Sequence, residues 1–82
     1  MVTLKKIKKI NNIISAEYYP EGDSSDIGII EYDIDGKVVI SVQYCDKDKE
    51  SHLKGYSKKA IIAIEKLIEK NEFPETYNYM WY

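Results

Sequence analysis

With 82 residues, 44% of them hydrophobic, the chain has room for one domain with a single small core, and a second domain is excluded. One cysteine, Cys45, rules out an intrachain disulfide, and one histidine, His52, leaves no Cys/His set of the kind that holds structural zinc. The longest wholly apolar run, Ala60 to Ile64, is far shorter than the roughly 20 residues a membrane helix needs, so no membrane span is expected.

The net charge of −2 conceals a segregation. Lys5, Lys6, Lys8 and Lys9 occur with no acid among them, whereas Glu17, Glu21, Asp23, Asp26, Glu31, Asp33 and Asp35 all precede the next lysine. Two such segments neutralise each other if they become neighbouring strands. The alternative is a basic arm in which these four lysines contact an anionic partner such as single-stranded nucleic acid. All twelve basic residues are lysine and none is arginine, beside thirteen isoleucines and eight tyrosines. A/T-rich codons produce that bias without functional demand, so the lysine and tyrosine counts carry little weight. The first residues lack the apolar core and small-residue cleavage site of a secretory signal, and with the unpaired Cys45 this predicts a cytoplasmic protein.

In chain order, Leu4, Ile7 and Ile10 have a spacing that suits a helix as well as a strand. Asn11-Asn12, a pair tolerant of positive φ, and the alternation of Ile14, Ala16 and Tyr18 with Ser15 and Glu17 favour a hairpin. A two-residue turn there sets Ile10 against Ile13, Ile7 against Ala16 and Lys6 against Glu17. Pro20 to Asp26 follows as a polar surface loop rich in turn formers.

A second hairpin is predicted from Ile30, Tyr32 and Ile34 alternating with acids, and from Val38, Ile40, Val42 and Tyr44 alternating with Val39, Ser41 and Gln43. A two-residue Asp35-Gly36 turn would pair Tyr32 with Val39 and put the two apolar sets on opposite faces. A three-residue loop, Ile34-Asp35-Gly36, with Gly36 left-handed, instead pairs Tyr32 with Val38 and Ile30 with Ile40. The expected register is the second, which leaves Ile13, Ile27, Ile29 and Val39 on the far side of the sheet.

Ser51 to Asn71 carries Leu53, Tyr56, Ala60, Ile64 and Leu67 at steps of three and four, with lysines and glutamates opposite, and so predicts an amphipathic helix about 30 Å long. Ser51 or Asp48 is expected to cap its start, and Asn71 followed by Phe73-Pro74 to stop it. Gly55 within the first turns costs about 1 kcal/mol relative to Ala, which implies close approach of a strand. Glu75 to Tyr82 reads as a terminal strand with Tyr77, Tyr79 and Trp81 on one side and Asn78, Met80 and Tyr82 on the other.

Few residues offer chemistry. Cys45 and His52 flank the entry to the helix, where a thiolate and a base could cooperate, but no orienting residue is evident. Asp46, Asp48 and Glu50 begin like a calcium loop, which fails where Ser51 stands for the required Gly and Ser57 for the bidentate Glu. Phosphate-loop, dinucleotide and serine-nucleophile motifs are absent, and no catalytic, cofactor or metal residue is assigned.

The blocks EYYPEG, Glu17 to Gly22, and KNEFPETYNYMWY, Lys70 to Tyr82, resemble those of short uncharacterised bacterial and phage-associated proteins. The resemblance implies one compact domain that includes the aromatic end, and it brings no activity or ligand with it. The sequence thus predicts an α+β domain: two successive hairpins in a four-stranded antiparallel sheet, one helix on one face and a terminal strand at an edge. One helix is too narrow for such a sheet. The expected function is a non-catalytic module binding a protein partner or a second copy through Ile13, Ile27, Ile29, Val39, Tyr77, Tyr79, Trp81 and Tyr82.

Overall fold

The computed structural model describes residues 1–81. Five strands, β1 (Val2–Ile10), β2 (Ile13–Pro20), β3 (Gly28–Asp33), β4 (Val38–Gln43) and β5 (Thr76–Tyr79), form one antiparallel sheet in the order β4-β3-β2-β1-β5. A short helix, α1 (Asp46–Lys49), precedes the long α2 (Gly55–Lys70). This is the expected α+β arrangement, and the terminal strand takes the edge beside β1.

α2 buries Ser57, Ala60, Ala63, Ile64 and Leu67 on one stripe. Ala60 and Ala63 are fully buried, and such small side chains let the helix lie close to the sheet. It packs on β1, β2, β3 and β5 over Val2, Leu4, Ile7, Ile14, Ala16, Tyr18, Ile30 and Tyr32. Tyr18 crosses the backbone of Gly28, where an added Cβ would lie 2.1 Å from the ring, so only glycine fits. The helix stops as expected: Asn71 turns left-handed at φ 54°, and the amides of Asn71 and Glu72 donate to the carbonyls of Ile68 and Leu67.

The start of the helix differs from the expectation. Lys54 at φ 51° interrupts the helical path between α1 and α2, and Gly55 becomes the first helical residue, with nothing within 4 Å of an added Cβ. No strand approaches it.

The first hairpin keeps Ile10 opposite Ile13, but its register shifts between Lys5 and Lys8, so that Lys5 and not Lys6 faces Glu17. Lys6 carries the bulge at φ 53°. The three-residue step from Leu4 to Ile7, ambiguous in sequence, is this extra residue. It returns Ile7 to the buried side occupied by Val2 and Leu4. The expected charge pair forms across the bulge, Lys6 Nζ to Glu17 Oε2 at 3.8 Å.

The second hairpin corrects the sequence reading. Tyr32 pairs with Val39 and Asp33 with Val38, closing a four-residue turn, Ile34 to Lys37. Lys37, at φ 54°, takes the left-handed conformation in place of Gly36. The conflict between apolar sets is relieved by an irregularity opposite Glu31 and Tyr32, beyond which Glu31 faces Ser41 and Ile30 faces Val42. Val39 is therefore half-buried and packs against the core, which removes it from the far side, while Val38 and Ile40 are exposed.

Candidate interaction surface

Most of the buried polar chemistry lies at the corner between α1 and α2. Asp48 is fully buried, and its carboxylate accepts from the Tyr18 hydroxyl at 2.7 Å, the Tyr56 amide at 3.0 Å and the Ser57 amide at 2.8 Å. It thus caps α2 from outside the helix, a role the expected choice between Ser51 and Asp48 half anticipated. The Tyr18 hydroxyl in turn accepts from the Cys45 amide at 3.1 Å, and Asp26 accepts from the amides of Asp46 and Lys47 at the start of α1. Burial pushes the Tyr18 phenol far above its ordinary range. The lone Asp26 and the strand-borne Tyr18 offered no sequence signal for this cluster.

Cys45 is buried, and burial raises its thiol pKa, opposite to what a nucleophile needs; His52 is exposed. The acids of the calcium-like run separate: Asp46 pairs with Lys49, Asp48 turns inward to the helix, and Glu50 is exposed. No group of three or more His, Cys, Asp or Glu residues stands together as a metal cradle among the described residues.

The face of the sheet turned away from α2 is built from Lys5, Lys8 and Ile10 of β1, Ile13, Ser15 and Glu17 of β2, Ile29 and Glu31 of β3, and Val38 and Ser41 of β4. These residues alternate with the buried ones, so strand pleating alone brings them together. Ile13 is 41% exposed, Ile27 47% and Ile29 37%. Ile10, Val38 and Ile40 are more exposed still, at 66%, 54% and 51%; sequence reasoning missed Val38 and Ile40 because the β4 irregularity re-aims them, whereas Ile10 keeps its expected place opposite Ile13 and could have been named with it. Polar neighbours are engaged within the face: the Tyr19 hydroxyl donates to Glu17 at 2.6 Å, and the Ser41 hydroxyl to Glu31 at 2.8 Å. The Glu17 contact pushes the Tyr19 phenol up to about 12.

The aromatic end lies on the opposite side. Tyr77 and Tyr79 pair with Leu4 and Val2, and together with Trp81 they are half-buried at the margin of the core. Trp81 meets Tyr56 edge-on at 6.0 Å and lies tilted against Tyr79 at 6.2 Å, with Lys59 Nζ 5.7 Å above it. Tyr82 lies outside the described residues. The four lysines of β1 do not form one patch: Lys5 lies over the Tyr19 ring at 5.0 Å, Lys6 pairs with Glu17, Lys8 faces Ser15, and Lys9 shares the helix side with Ile14. Of the expected surface, the structure leaves Ile13, Ile27 and Ile29 exposed, with Ile13 and Ile29 on one sheet face but two rows apart, and it places Val39 and the aromatic end on the other side.

No helix among the described residues is long and apolar enough to cross a membrane. Comparison with protein-family models, curated proteins and solved structures gives no significant match.

Proposed function

We propose that this protein is a non-catalytic interaction module that associates with itself through the sheet face left uncovered by α2. The observation that carries the reading is the exposure, on and beside that face, of Ile10, Ile13, Ile27, Ile29, Val38 and Ile40. They stand towards the two ends of the sheet, Ile10, Ile13 and Val38 in one row and Ile29 two rows away, with Lys8, Ser15, Glu31 and Ser41 between, and such a mixture of apolar and polar positions is the composition of a non-obligate contact surface. Five strands about 4.8 Å apart and about 20 Å long present roughly 480 Å² per copy, or about 1,000 Å² for a pair before side-chain relief is counted. That reaches the lower bound for a specific interface.

A catalytic role for Cys45 with His52 has less support, because the thiol is buried and its pKa is raised. Nucleic-acid binding through Lys5, Lys6, Lys8 and Lys9 also ranks lower, since Glu17 and Glu31 share the face with Lys5 and Lys8 and would repel phosphate.

Size-exclusion chromatography with light scattering tests the reading. The wild-type chain is expected to elute as a dimer, and Ile29→Lys, which places a charge at an exposed apolar position of that face without touching the core, as a monomer with a nearly unchanged melting temperature. A wild-type monomer at every soluble concentration removes the proposal.

A further inference from the structure

Self-association leaves the geometry of the pair open, and the charges on the uncovered face narrow it. Along one row across the strands Lys8 faces Ser15, Ser15 faces Glu31 and Glu31 faces Ser41; along the next, Lys5 faces Glu17 and Glu17 faces Ile29. β2 therefore divides the face, with lysines on β1 to one side and the carboxylates of Glu31 and Asp33 on β3 to the other. We infer that a second copy of this chain docks face to face about a two-fold axis running along β2, an inference that rests on the self-association argued above.

That rotation lays β1 of each copy over β3 of the other and keeps every residue at its own level along the strands. Lys8 comes over Glu31 of the second copy, twice in the pair, while Ile13 and Ser15 meet their own equivalents at the axis. Glu17 does the same, and within each copy its charge is offset by Lys6 Nζ at 3.8 Å and its carboxylate is held by the Tyr19 hydroxyl. The other two-fold that joins the same faces runs across the strands. It lays β1 on β1 and β3 on β3, stacking the lysine column and the carboxylate column each against itself, and juxtaposed like charges disfavour an interface. Packed sheets cross at about 30°, which displaces residues near the axis least, and Lys8 and Glu31 stand one strand, about 4.8 Å, away from it.

Charge exchange tests the axis. The dimer dissociation constant is measured by sedimentation equilibrium for the wild type, Lys8→Glu, Glu31→Lys and the double variant, with thermal melts to show that each is folded. Each single reversal is expected to weaken the dimer about tenfold or more, because two pairs change sign per dimer, and the double variant to recover to within about threefold of the wild type. As a second readout, Ser15→Cys is expected to be bridged to itself by a short bismaleimide, since Cys45 is buried and does not compete. Single reversals without effect, or a double variant that fails to recover, overturn the axis even where Ile29→Lys still yields monomers and the interface itself stands. A wild type that never dimerises overturns both.

Discussion

Asp48 ties the sheet to the start of the long helix. Three donors from β2 and the first turn of α2 end on its buried carboxylate, and replacing it with alanine leaves all three without an acceptor. Lost caps and unsatisfied buried donors each cost about 1–2 kcal/mol, so Asp48→Ala is expected to lower stability by about 3 kcal/mol or more, read as a fall in the urea midpoint at an unchanged slope. Tyr19 gives a pH signature. Its phenol, hydrogen-bonded to Glu17, ionises at about 12 in the folded chain against about 10 when unfolded. The folded state thus holds this proton more tightly, so the stabilisation is complete below pH 10 and is lost as pH rises towards 12. Burial raises Tyr18 in the same direction. A tyrosinate absorbance titration at 295 nm (roughly the tyrosinate band) should show late-ionising groups, and Tyr19→Phe should remove part of the high-pH destabilisation.

At the scale of elements, the strands and the helix were legible because their apolar periods of two and of about 3.6 are strong over Ile13–Tyr19, Ile30–Tyr44 and Tyr56–Leu67. What the pattern did not reveal were the three places where it is interrupted. The bulge at Lys6 looked like helical spacing, the irregularity at Ile40 inverted the faces of Val38 and Val39, and Lys54 delayed to Gly55 the start of a helix that read as beginning at Ser51. Side chains do not advertise these backbone events: lysine tolerates the left-handed region poorly, yet Lys6 and Lys54 occupy it at two of the three places, and Lys37 does so in the β3–β4 turn. The turn glycine was expected to take that conformation and does not. Lys37→Gly should therefore relieve strain of about 0.5–1 kcal/mol at the β3–β4 turn, seen as a rise in melting temperature of a few degrees. The corner at Asp48 was partly legible as a capping signal, but its partner Tyr18 is 30 residues away, and no local pattern connects them.

At the scale of the whole molecule, a sheet five strands wide lies under one helix of 16 residues. A helix is about 10 Å across and five strands span roughly 24 Å, so β4 is at the margin even on the covered side, where Val39 and Val42 remain half-buried. The mismatch of widths was visible in sequence, and so was the exposure of Ile13, Ile27 and Ile29, but the exchange of Val39 for Val38 was not, since it depends on the register shift in β4. The association proposed above would couple folding to concentration, because only folded chains would dimerise. The melting temperature is expected to rise as protein concentration increases over about 100-fold, and Ile29→Lys should abolish that dependence.

The capping of α2 by Asp48 also bears on the order of events in folding. Before Tyr18 on β2 and the turn of α1 have come together, the first amides of the long helix have no carboxylate to receive them. Nucleation from that end is then deferred until the sheet offers its support, and fraying there is tied to dismantling β2. Amide hydrogen exchange at Tyr56 and Ser57 should accordingly track the slow protons of the central strand, whereas a self-standing helix would lose them with its own first turn.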